Sequence, residues 1–534
     1  MASPRLINAT ETDEVAALPE APIVVLRTLS QDTGRTTARL RRMTTMVRVL
    51  LVQLAMLFIL TSCSQTSSVS SPKATPLVRP NFVFVLTDDL SWNLVDRMPH
   101  VMQLMQQGVT FDHYYVTDSL CCPSRSSIFK GQFPHNTRIF TNGGPDGGFA
   151  EFFRRGEQNS AVNTWLHSGG YRTGMMGKYL NGYMETGADP PGTYVPPGWD
   201  EWDVGGNGYP EYNYDLNSNG EIIHHGATEA DYLTDVVAGS GQQFIRTSAQ
   251  AGKPFFLEMA TFAPHAPYTP PKRYRGQLAG VAYPKTPAYD ARDPHAPRWL
   301  ATSPPLPPKE QELMRANYQA RLEADLAVDD LIGSLEKTLR ESNQLQNTYF
   351  VFSSDNGYHM GEHRLHEGKQ TAFDTDINVP LVVSGPGVPR GLTQHQLVMN
   401  IDLAPTFARL AGVAAPDVDG VSLLPLLRAN GAPPWRQAAL IEHHGPNPSP
   451  TDPDRTPIRS EDPPSYNAIR TSQYTYVEYV NPQQQLVYTE LYDDQKDPYQ
   501  LSNLASTADP ATQRPLHAEL QKLAACHGAD CFVT

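Results

Sequence analysis

Two acidic pairs and a short cysteine stretch hold most of the chemistry this chain can do. Asp88-Asp89 follow the apolar run Asn81-Phe82-Val83-Phe84-Val85-Leu86, and Asp355-Asn356 follow Thr348-Tyr349-Phe350-Val351-Phe352-Ser353-Ser354. Apolar runs of this length suit strands buried on both faces. Adjacent carboxylates at a strand end repel unless a cation sits between them. In open α/β sheets, ligands collect at such ends. Asp is also a good helix cap, but capping accounts for one Asp more easily than two. These hard oxygen donors need no His or further Cys, so they suit Ca²⁺ or Mg²⁺ and argue against zinc.

In Cys121-Cys122-Pro123-Ser124-Arg125-Ser126-Ser127-Ile128-Phe129-Lys130-Gly131, Pro123 fits a first helical turn and Gly131 a left-handed cap. Cys121 and Cys122 then sit at a helix N-terminus that favours an anion, with Arg125 reaching back from the next turn. Lys178 ends the strand-like Tyr171-Arg172-Thr173-Gly174-Met175-Met176-Gly177. His265 lies in a proline-stiffened loop beyond the strand Phe255–Ala260, and Lys369 in a polar loop. A metal ringed by cations is what a tetrahedral oxyanion requires as an ester bond breaks. The blander reading is a buried Cys pair capping a core helix, with a structural His.

The elements that must position these groups alternate between apolar strands and helical patterns up to about residue 415. This predicts an α/β fold with a large, mainly parallel sheet flanked by helices. Residues 309–340 form a helix with Tyr318, Leu322, Leu326, Leu331, Leu335 and Leu339 on one stripe, read as packing without chemistry. Residues 198–220 read as an aromatic loop at the rim. Beyond about residue 430, short strands at 438–442, 466–471, 474–480 and 485–492 and a helix over 516–525 predict a smaller antiparallel-sheet α+β domain. The segment 446–464 is a Pro/Asp-rich loop. The expected division is 1–63 extension and signal segment, 64–79 Ser/Pro linker, 80–430 catalytic domain and 431–534 C-terminal subdomain.

With 534 residues the chain can bury a large core, and a net charge of −14 argues against general nucleic-acid binding. An anionic substrate must therefore be drawn by a local basic pocket. Arg39 to Arg48 precede an apolar run, Val49 to Leu60, too short to span a membrane but shaped like a signal-peptide core. It ends Leu60-Thr61-Ser62-Cys63, which resembles a bacterial lipobox with Cys63 as the lipidated residue. Plain secretion is the alternative. Translation starting at Met43 or Met46 would place the basic residues next to the core. Cys526 and Cys531 could form a small disulfide, in keeping with an oxidising compartment, or stay as surface thiols.

The Cys121 stretch resembles the type I sulfatase signature, Cys-x-Pro-Ser-Arg followed by Gly. The resemblance covers roughly residues 80–505. It extends to Asp88-Asp89, Gly177-Lys178, Pro264-His265, Asp355-Asn356-Gly357, Gly368-Lys369 and the late Glu490-Leu491-Tyr492-Asp493. Gly177-Lys178-Tyr179-Leu180-Asn181 and Asp355-Asn356-Gly357-Tyr358-His359 look most like the N-acetylglucosamine-6-sulfatase branch. The resemblance implies an alkaline-phosphatase-like fold and a sulfuric ester hydrolase acting on sulfated sugars or aryl sulfates. It also implies Cys121 oxidised to formylglycine (3-oxoalanine) by a formylglycine-generating enzyme. Asp88, Asp89, Asp355, Asn356 and modified Cys121 would bind one divalent cation, usually Ca²⁺. Arg125 would steady the aldehyde hydrate, Lys178 and Lys369 the sulfate, and His265 the sulfate or leaving oxygen. Many sulfatases carry a His where this chain has Leu180, so the general acid stays open. His359, His363 and His366 read as either rim or surface residues. Phosphate or phosphonate ester hydrolysis and non-catalytic binding of sulfated glycans are the competing readings.

Overall fold

Seven buried residues, Asn81–Thr87, form the central strand. Its side chains alternate between two cores. Phe82, Phe84 and Leu86 enter one, and Val83 and Val85 the other. Both faces are covered, which is why the run shows no polar alternation. The computed structural model describes residues 79–532 apart from 185–189, 429–432, 447–451 and 455–461. The signal-like run, Cys63 and residues 64–78 of the linker lie outside the described residues.

The large sheet has ten strands, and its centre is parallel. Asn81–Thr87 pairs in parallel with Phe255–Ala260 and Thr348–Ser354, and Phe255–Ala260 with Arg172–Lys178. All four strands therefore end at the same edge, where Asp88, Asp355, Lys178 and the approach to His265 follow. Antiparallel strands lie outside this centre, with Leu381–Ser384 on one side and the hairpin Tyr214–Ser218 and Glu221–His225 on the other. The sheet is thus mixed. Gly177, beside Lys178, has φ 101°, and a Cβ there would lie 1.9 Å from the Ala260 carbonyl oxygen. Only glycine permits that close strand approach.

Helices cover both faces. On Leu403–Ala411, the Phe407 ring meets Phe82, Phe84 and Phe256 with centroids 5.2–5.6 Å apart. On the opposite face, Pro308–Glu341 buries Tyr318, Leu322, Leu331, Leu335 and Leu339. Its other buried residues include Arg321, whose Nη2 donates to the Asp89 carbonyl and whose guanidinium lies 4.4 Å from the Tyr358 ring. The helix is therefore not packing alone, because it holds the backbone of Asp89.

Two further expectations change. Residues 198–220 are not all loop, since Glu201–Gly205 and Tyr214–Ser218 are sheet strands. Asn219 and Gly220, both at positive φ, make the hairpin turn to the next strand. The last helix begins earlier than expected, at Pro510–Leu523, where Asp509 caps Ala511 N–H. It packs against a separate four-stranded antiparallel sheet of Ala438–His443, Tyr466–Thr471, Tyr474–Val480 and Leu486–Asp493. Cys526 and Cys531 are disulfide-bonded.

Glu258 sits in the middle of Phe255–Ala260, fully buried, and neither carboxyl oxygen has a hydrogen-bond partner. Burial pushes its pKa up to about 8, with the Arg125 charge opposing. Between the ordinary glutamate value and about 8, the folded chain keeps a proton that the unfolded chain releases. Stability is thus full below the lower value and falls as pH rises toward 8, by up to about 1.4 kcal/mol per pH unit. Glu258→Gln is expected to flatten this slope in urea unfolding between about pH 5 and about pH 8. An unchanged slope would place the pH dependence elsewhere.

Candidate active site

The helix Cys121–Lys130 is buried at every residue and closed by Gly131 at φ 64°. It presents Cys121 and Arg125 to the carboxyl edge of the sheet. Cys121 Sγ lies 3.1 Å from Asp88 Oδ1 and 2.9 Å from Lys369 Nζ. Arg125 Nε donates to Asp355 Oδ2 at 2.7 Å, and its Nη1 to the Lys178 carbonyl at 3.1 Å. Lys178 Nζ is 2.5 Å from Asp88 Oδ2, and Lys369 Nζ 2.5 Å from Asp89 Oδ1. Asn356 Nδ2 donates to Asp89 Oδ1 at 2.7 Å. The nine residues singled out from sequence for this site (Asp88, Asp89, Cys121, Arg125, Lys178, His265, Asp355, Asn356 and Lys369) thus meet in one buried cluster.

His265 Nδ1 is 2.7 Å from the Ala266 carbonyl, so this nitrogen carries a proton and Nε2 faces the cluster. Nε2 lies 3.6 Å from Asp89 Oδ2. Burial opposes protonation, but Asp89, Asp88 and Asp454 together raise its pKa. Its ring also packs 4.6 Å from Tyr209, which in turn lies under Lys178 Nζ at 4.9 Å.

The donor set fits a hard divalent cation. Ligand atoms of Asp88, Asp89, Cys121 and His265 lie within 4.8 Å of one another. Asp89 Oδ2 and Asn356 Oδ1 are buried without a hydrogen-bond partner. Burial and then the Asp88 charge push the Asp355 pKa up, with Arg125 opposing. A cation among these oxygens would satisfy the orphaned atoms and relieve the repulsion. Cys121 as a plain thiol is poorly suited to attack. Burial, then Asp355, Asp454 and Asp88, holds its pKa well above the ordinary value, and a protonated thiol is a weak nucleophile.

Sequence reasoning missed Asp454. Its Oδ1 lies 2.6 Å from His265 Nε2 and 2.8 Å from Lys369 Nζ, and its Oδ2 accepts from Asn142 Nδ2 at 2.5 Å. Burial would raise its pKa, but Lys369 and then His265 hold it well below the usual range. The only signal was its place in the Pro/Asp-rich loop, with no strand end beside it. Arg321 was hidden because its helix reads as amphipathic. His359 and His363 are not surface residues. His359 is buried 2.9 Å from Asp376 Oδ2, and His363 stacks on Phe373 at 3.8 Å between centroids. The mouth of the site is a cavity of about 180 Å³ lined by Tyr268, Tyr358, Glu367, Pro453 and Asp454 around Asp89, His265 and Lys369.

A mixed sheet with helices on both faces, a small antiparallel sheet beside it and an acid–base cluster at the carboxyl edge defines an alkaline-phosphatase-like hydrolase. The sulfatase family model matches residues 80–413, and the C-terminal model of N-sulphoglucosamine sulphohydrolase matches residues 361–526. Human N-acetylglucosamine-6-sulfatase is 34% identical over 85% of this chain and 86% of that protein. A solved structure of a protein with its substrate D-glucosamine-2-N,6-O-disulfate superposes with TM-score 0.68, 24% identity, and coverage of 83% of this chain and 97% of that one. A phosphonate monoester hydrolase from Silicibacter pomeroyi shares the fold at TM-score 0.64, 22% identity, and coverage of 83% and 94%. The chain belongs to the sulfatase family, and it is a sulfuric ester hydrolase.

Proposed function

We propose that this protein removes 6-O-sulfate from N-acetylglucosamine-type sugars, using a formylglycine made from Cys121 beside a bound Ca²⁺. The observation that carries this reading is the placement of Cys121 Sγ between Asp88 and Lys369 at the sheet edge. Asp88, Asp89, Asp355 and Asn356 would hold the ion through their side-chain oxygens, with Mg²⁺ as the other candidate. Such an ion polarises the ester oxygens and offsets their charge when bound. Arg125, fixed by Asp355, steadies the modified side chain at position 121. Lys178 and Lys369 hold the sulfate oxygens. His265, with Nε2 facing inward and its pKa raised, gives a proton to the departing sugar oxygen.

The substrate assignment draws on the likeness to human N-acetylglucosamine-6-sulfatase. We further propose that the chain is exported through the segment before Cys63 and lipid-anchored there, outside the cytoplasm. A formylglycine-generating enzyme matures it, and residues 80–430 carry the catalysis, with 431–534 as a subdomain. Among the described residues, no helix is long and apolar enough to cross a membrane.

The test is side-by-side turnover of N-acetylglucosamine-6-sulfate, an aryl sulfate and an aryl phosphate by protein made with the maturation enzyme. Faster release of sulfate is expected. Faster release of phosphate would favour the phosphate and phosphonate ester reading. Binding of sulfated glycan without turnover would favour a binding protein.

A further inference from the structure

The Asp454 carboxylate contacts Lys369 and His265, the two groups to which the proposed function assigns the sulfate and the leaving oxygen. It bridges His265 Nε2 and Lys369 Nζ at 2.6 and 2.8 Å, and the side chain is almost wholly buried. On the far side, Oδ2 is held by Asn142, which also donates to Asp452 Oδ1 at 3.1 Å. His265 has no second nitrogen to offer, because Nδ1 is committed to the Ala266 carbonyl. A sulfate ester held by Lys369, with its leaving oxygen facing His265, would need these same two contacts.

We propose that the Asp454 carboxylate is a built-in competitor of the sulfate group, which the substrate must displace from Lys369 and His265 before it reacts. This rests on the proposed roles of those two residues. The chemistry is an exchange of like for like. One carboxylate oxygen, Asp454 Oδ1, meets both His265 Nε2 and Lys369 Nζ, and a sulfate oxygen can take the same two charge-assisted hydrogen bonds. With Asp88, Asp89 and Asp355 committed to an ion and to Arg125, Lys369 and His265 are left facing an anion, and Asp454 supplies one. The competitor keeps buried charges paired while the site waits, since an unpaired buried cation is costly. It weakens the hold on sulfate in return. Inorganic sulfate, the product, bears a greater charge than the ester and would otherwise bind most tightly to such a pocket.

The experiment compares wild type with Asp454→Asn and Asp454→Ser as mature, metal-loaded enzyme. Calorimetric binding of inorganic sulfate and steady-state kinetics on an aryl sulfate are both read. The competitor model expects sulfate to bind both variants roughly tenfold tighter, with KM lower by a similar factor. Equal or weaker sulfate binding in both variants would overturn it. So would a fall in kcat with KM and sulfate affinity unchanged, which would make Asp454 a participant in the reaction. Turnover of sulfate ester by the wild type is scored separately, so failure of the functional reading is distinguishable from failure of this one.

Discussion

Cys121→Ser, produced with the maturation enzyme, is expected to lose turnover by at least roughly 10⁴-fold, the scale seen when a covalent nucleophile is removed. The thiol is fully buried and lies against Asp88 and Lys369. Serine keeps the helix N-terminus and nearly the same volume, so the fold should melt at nearly the wild-type temperature. Only the reactive group would be missing. Cys122→Ala is the control. Cys122 packs in the apolar core, and its backbone N–H donates to Asn142 Oδ1 at 3.0 Å, a bond the substitution keeps. This variant should retain turnover at some loss of stability. The mass of the Cys121 peptide, lighter than the thiol form when converted, ties activity to modification. Full activity in Cys121→Ser would overturn the mechanism.

The second large effect concerns the metal. Chelation is expected to reduce turnover by at least about 10²-fold, and Ca²⁺ to restore it, because a bound cation contributes several kcal/mol to charge stabilisation. The reason lies in the balance of charges. Asp88, Asp89 and Asp355 are each about 1% exposed or less; ligand atoms of Asp88 and Asp89 lie within 4.8 Å of each other, and the Asp88 charge adds to burial in raising the Asp355 pKa. Lys178 pairs with Asp88, and Lys369 with Asp89 and Asp454, but Asp89 Oδ2 and Asn356 Oδ1 stay unsatisfied. A readout independent of activity is available. Ca²⁺ at about 100 times its dissociation constant should stabilise the fold by about 2.7 kcal/mol, visible as a rise in melting temperature. Asp355→Asn should weaken that rise. Indifference of both turnover and melting to chelation would remove the metal from the account.

What sequence made legible was local. Continuous apolar runs ending in acids mark buried parallel strands, because a strand covered on both faces needs no polar alternation and a strand end is where charge can gather. The Cys121 helix was readable from Pro123 and Gly131, since backbone stereochemistry limits where those residues fit. The hairpin at Asn219-Gly220 had its own signal in the turn pair, but it was masked by aromatic residues that suggested a rim.

Tertiary structure alone decided the partners. Which carboxylate meets which cation depends on strand order and pairing, and the one-dimensional pattern does not encode that. Four parallel strands place Asp88, Asp355, Lys178 and the His265 loop at one edge, although their positions span 268 residues in the sequence. Asp454 and Arg321 sit in a loop and on an amphipathic helix with ordinary composition. Their roles arise from contacts at long range in the chain, where loop closure brings together groups that carry no local mark.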